Sequence, residues 1–109
     1  MLIHLHEEPF NWVKSGGKTL EKRLYDEKRK KIKIGDIIEI ESRATHEIIK
    51  TKVIDLKVFN NFEELYAAYP PEMLGSNATD RDPSYMEQFY SKEDQEKYGV
   101  IAIEMELIK

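Results

Sequence analysis

Gly16-Gly17-Lys18-Thr19-Leu20-Glu21-Lys22-Arg23 concentrates the residue types that do chemistry, with Gly16, Lys18, Glu21 and Arg23 in the order G-x-K-x-x-E-x-R. Lys18 supplies a mobile point charge suited to a phosphate, and Arg23 a planar fork suited to a phosphate or a base edge. Glu21 and Arg23 are two apart, so on a strand they share a face. Glu21 then either holds Arg23 in place or accepts from an exocyclic amine. Gly16 and Gly17 provide a turn that only glycine makes easily. Tyr25, two beyond Arg23, offers a surface on which a base can stack, and Tyr90 and Tyr98 lie near later helices. The candidate ligand set is Gly16, Gly17, Lys18, Glu21, Arg23 and Tyr25. The plain alternative is a surface ion pair Glu21–Arg23, worth at most about 1 kcal/mol.

Other chemistries have weaker footing. A lysine beside a like charge such as Arg23 can have a lowered pKa and act as a base. His4 and His6 put two imidazoles on one strand face with His46 as a third ligand for zinc, but nothing in the spacing fixes that third ligand, so no metal is expected. Gly17-Lys18-Thr19 resembles the end of a phosphate-binding loop, yet Trp12 stands where that motif needs its first glycine. Trp12, Phe10 and Phe62 read as core.

Charge is unevenly placed. The net charge is −4, but residues 14–33 hold nine of the 17 Lys and Arg residues against three acids, a local balance of +6. The remaining residues balance at −10. A basic stripe on an acidic body steers a polyanion to one edge; a solvated lysine-rich loop would look the same. A short strand or a single nucleotide suits this pattern better than a duplex. With no cysteine, disulfides and thiolate metal sites are excluded. No apolar run approaches the roughly 20 residues that span a bilayer. Residues 1–10 carry Glu7 and Glu8 and do not read as a signal peptide, so a cytoplasmic protein is expected.

The elements that must position the motif are short. Leu2, Ile3 and Leu5 predict a strand, and Pro9 to Val13 a helix stopped by Gly16-Gly17. Strands follow over Thr19–Tyr25, Ile37–Ser42 and His46–Phe59, the last bent near Lys50–Lys52. Asn61 with Glu64, Ser84 with Glu87, and Ser91 with Asp94 read as helix starts, the last helix closed by Gly99. Pro70–Asp82 has no period and reads as a long mobile loop. Val100 to Ile108 make a final strand. One domain over residues 1–109 is expected: α+β, a small barrel or strongly curved sheet of about five to six strands with short peripheral helices.

Taken together, the G-x-K-x-x-E-x-R residues, IKIGDIIEI, FNNFEELY and the closing YGVIAI strand resemble the ASCH domain family nearly end to end. The resemblance implies a PUA-like β-barrel with a cleft where the motif residues gather. It implies binding of single-stranded RNA or a nucleotide-like ligand, in roles linked to RNA metabolism or translation, with no cofactor. Two other activities come with it. Similar small bacterial proteins hydrolyse acylated cytidine through a lysine, a threonine three residues later and a glutamate. Here Lys18 would be the base, and Glu21 occupies the threonine position. A ribonuclease would use Lys18 on the phosphate. A protein-interaction domain is the remaining alternative, and it would leave Lys18 without a role.

Overall fold

The apolar positions of Ile37–Ser42 alternate, and the strand they form buries Ile38, Ile40 and Ser42 while Ile37, Glu39 and Glu41 face outward or the margin. The same logic runs through the computed structural model, which describes residues 1–16, 18–74, 78 and 81–108, with Lys18 described by its backbone alone. Five strands form one curled sheet: β1 (Leu2–Leu5), β2 (Lys18–Leu24), β3 (Ile37–Ser42), β4 (Ile48–Phe59) and β5 (Val100–Leu107). Their order is β1-β3-β4-β5-β2; β1 runs parallel to β3 and every other pair is antiparallel. β1 and β2 are therefore the sheet's two edges. The helix that joins them, α1 (Glu7–Gly16), packs across the concave side against β2, β3 and β5. The sheet is thus a curled half-barrel, with α1 in the place of the missing wall.

Two cores lie on the two faces. Phe10 and Val13 of α1 join Ile3, Ile38, Ile40, Val53, Ile103 and Met105 on the concave side. Leu20, Leu24, Val100 and Ala102 pack on the other side against Phe62, Leu65 and Tyr66 of α2 (Phe62–Ala67) and Met86. β5 is buried on both faces, which is why Val100–Ile103 forms a continuous apolar run rather than an alternation. The bend expected near Lys50–Lys52 falls slightly later, where the β4–β5 register shifts between Val53 and Asp55.

The helix starts follow their capping residues. Asn61 accepts from Glu64 N–H at 2.8 Å, while the Glu64 carboxylate reaches back to Asn60. Ser91 opens α4 (Lys92–Tyr98) by accepting from Asp94 N–H at 3.1 Å. Two readings need correction. Part of the expected loop is helical: α3 (Pro71–Leu74) starts at Pro71, whose missing N–H and fixed φ suit a first helical turn. Residues 75–77, 79 and 80 of that segment lie outside the described residues. Next, Asp82 rather than Ser84 caps the following helix, a 3₁₀ segment over Pro83–Gln88, by accepting from Ser84 N–H at 3.0 Å. Among the described residues no helix is long and apolar enough to cross a membrane.

Gly99 ends α4 at φ 74°, ψ −179°, a region open to glycine alone. A Cβ there would lie 3.1 Å from the Phe59 carbonyl oxygen, part of the backbone of β4. Gly99→Ala is expected to lower stability by about 2–3 kcal/mol. A urea titration read by circular dichroism checks this, and an unchanged midpoint would contradict it.

Candidate ligand-binding cleft

Register places the motif. Glu21 stands opposite Ile103 and Arg23 opposite Ile101, so both project on the concave, core-facing side of β2. In a closed barrel those positions would be apolar. Here β2 is an edge, and a cleft of about 580 Å³ runs along its free side. α1 and the end of β1 form one wall, with His6, Pro9 and Trp12; Tyr85, Phe89 and Tyr90 form the other, and Arg43 reaches in from the β3–β4 turn. A site of this size and mixed lining is typical of small-molecule pockets.

Glu21 and Arg23 make the polar floor. Arg23 Nε is 3.3 Å from Glu21 Oε1, with side chains 21% and 12% exposed. That contact is close enough for charge attraction but not aligned as a hydrogen bond, and Nε is buried without a hydrogen-bond partner. Glu21 Oε1 also accepts from Lys22 N–H at 3.1 Å. The Glu21 charge raises the Arg23 pKa above its usual value, against the lowering effect of burial; the Tyr90 hydroxyl adds to the rise. Arg23 is therefore a fixed, permanently charged donor. Tyr90 is itself anchored: its ring stacks on buried Phe62 at 5.8 Å, and its carbonyl accepts from Gln95 Nε2 at 3.1 Å.

The other expected site residues are distributed as follows. Gly16 is the last residue of α1 with open space around it, and Gly17 lies outside the described residues. Lys18 opens β2 with its backbone paired to Glu106, and its side chain is outside the described residues. Tyr25 does not join the cleft. It follows the end of β2, donates its N–H to Gly99 O at 3.0 Å, and packs against the concave core with Lys30 Nζ 5.6 Å above its ring. Tyr98 packs on the opposite core. Thr19 is buried and lines the cleft on the same face as Glu21. His4 and His46 both approach Glu41 Oε2, at 3.6 and 3.3 Å, and no group able to hold a metal ion occurs among the described residues.

Trp12 overturns an expectation. Phe10 and Val13 form the buried stripe of α1, and Phe62 is buried as expected, but Trp12 is 36% exposed and lines the cleft. The signal was present in the helix period: Phe10 and Val13 share one stripe, while Pro9 and Trp12, also three apart, share the next. The basic stretch divides too. Lys22 and Arg23 reach the cleft, whereas Arg29 pairs with Asp26 at 2.8 Å and Lys31 borders a separate hollow with Met1 and Asp36.

The family model described as "ASCH domain" matches residues 3–109. Among solved structures, a crystal structure of hypothetical protein PH0355 is 38% identical, with a TM-score of 0.82, over 98% of this chain and 97% of the other. The solution structure of protein PF0455 from Pyrococcus furiosus is 31% identical, with a TM-score of 0.70, over 100% of this chain and 99% of the other. No curated protein matches.

Proposed function

The chain belongs to the ASCH domain family, whose fold is PUA-like, and on that premise we propose that it binds single-stranded RNA or a nucleotide-like ligand along the free edge of β2. Its role would lie in RNA metabolism or translation-linked regulation in the cytoplasm. The observation that carries this reading is Arg23, held between Glu21 and Tyr90 at the floor of the cleft. A guanidinium fixed in advance loses little freedom when it meets a phosphate or a base edge. Charge agrees: among the described residues, Arg23 and Arg43 line the cleft with Lys22, whose ammonium donates to Leu74 O, and Glu21 is the acid among them, in a chain of net charge −4. Such a surface favours an anion of limited length over an extended duplex. Lys18, at the start of the same strand, is the second cation of the motif.

Fluorescence anisotropy with a short labelled single-stranded RNA tests this. Two to three phosphate contacts predict a seven- to twentyfold loss of affinity, roughly, between 50 and 200 mM salt. Lys18→Ala is expected to weaken binding further and to flatten that salt slope. A gel on the same samples shows whether the RNA survives. Salt-sensitive binding with intact RNA supports the reading. Cleaved RNA moves the assignment to a ribonuclease, and affinity indifferent to Lys18→Ala removes that lysine from the site.

A further inference from the structure

Among the described residues, the exposed large aromatic side chains are Trp12, Tyr85 and Phe89, at 36%, 37% and 56% exposure, and all three line this one cleft. Soluble proteins rarely gather exposed aromatic surface in one place without a ligand for it. The walls that carry them are anchored on opposite faces of the sheet. α1 is fixed through Phe10 and Val13 in the concave core, and the 3₁₀ segment through Met86 in the other. Trp12 and Phe89 therefore reach one cleft from elements packed on the two faces of the sheet. Tyr85 meets Phe89 edge-to-face at 5.5 Å and 75°, which steadies the Phe89 ring.

We infer that the cleft holds one unpaired nucleobase against Trp12 and Phe89, with the base's polar edge directed to Glu21 and Arg23. This rests on the nucleotide reading above and specifies the ligand. A nucleobase has two apolar faces and a rim of donors and acceptors. The cleft matches this with aromatic walls and, at its floor, a carboxylate that accepts beside a guanidinium that donates. Arg43, on the β3–β4 turn at the cleft's rim, is placed for the phosphate that accompanies the base. A base paired in a duplex presents neither face, so the slot selects unpaired nucleotides. A free mononucleotide and a nucleotide within a short single strand share this chemistry.

Trp12 is the only tryptophan of the chain, so its fluorescence reports on the cleft directly. The full chain is titrated with each of the four common ribonucleoside 5′-monophosphates, with ribose 5-phosphate, and with a single-stranded trinucleotide. Binding is followed by Trp12 quenching and by calorimetry. The expected result is saturable quenching by at least one mononucleotide and by the trinucleotide, and none by ribose 5-phosphate. Phe89→Leu should weaken binding roughly tenfold or more, while Phe89→Tyr keeps it, because the loss is that of a stacking face. Tighter binding of the trinucleotide identifies a strand as the source of the base, equal binding a free nucleotide, and either supports the slot. Calorimetric binding with no Trp12 quenching and no effect of Phe89→Leu would overturn the slot but leave nucleotide binding intact. Absence of binding by every probe would overturn both.

Discussion

Arg23→Ala is expected to lower affinity for the short RNA or mononucleotide by roughly ten- to a hundredfold, the range of a lost charged hydrogen-bonding group. Arg23→Lys should fall between, since it keeps the charge and loses the fork that spans two acceptors. The alanine change also removes the counter-charge of Glu21, which is only 12% exposed. Breaking a fully buried pair costs about 3–5 kcal/mol; with water reaching part of the guanidinium, about 1–2 kcal/mol is expected here. A double-mutant cycle with Glu21→Gln separates the two roles. If Glu21 serves chiefly to hold Arg23, the double variant recovers stability relative to Arg23→Ala but not affinity. Equal affinities for wild type and Arg23→Ala would remove Arg23 from the site.

The largest loss of stability outside the apolar core is expected at Gln95. This side chain is 5% exposed and ties three segments together. Its Oε1 accepts from the buried Phe62 N–H at 3.2 Å at the start of α2, and its Nε2 donates to Tyr90 O at 3.1 Å. Gln95→Leu keeps the volume and strips the partners from both groups. Leaving two such groups unsatisfied costs about 2–4 kcal/mol, a Tm drop on the order of 10–20 °C for a domain of this size. Because Tyr90 helps to hold Arg23, affinity should fall several-fold in the same variant at temperatures where it is folded.

Gln95→Glu gives that argument a pH dependence. An ionised carboxylate still accepts from Phe62 N–H but repels the Tyr90 carbonyl oxygen; the protonated acid donates to it. Burial and that carbonyl both favour the neutral form, so the folded-state pKa rises above the unfolded value of about 4.3. The folded state then binds more protons, and stability is lost as pH rises through the folded pKa. Gln95→Glu is therefore expected near wild-type stability at about pH 4 and well below it at pH 7. Urea titrations at the two pH values check this, and a deficit equal at both would contradict the bond to Tyr90.

Local sequence determined a good deal of this protein. Ile37–Ser42 was legible as a strand because alternation is a property of adjacent residues, and α4 because Ser91, Asp94 and Gly99 satisfy its ends within one turn. The capped start of α2 and the spacing of Glu21 and Arg23 on one face belong to the same class. α3 was not legible locally, because Pro70-Pro71 reads equally as the end of one helix and the start of the next. Which side of a strand meets the core, and which strand is an edge, depends on partners far away in sequence. β2 pairs with β5, about eighty residues later, and it is this pairing that turns Glu21 and Arg23 toward the concave side and leaves their strand open to a ligand. The same long-range arrangement sends Trp12 to the cleft instead of the core, withdraws Tyr25 from it, and brings Tyr90 against Arg23. Sequence by itself determined the chemical groups and their local spacing; the closing of distant segments around an unpaired edge decided which of them share a site.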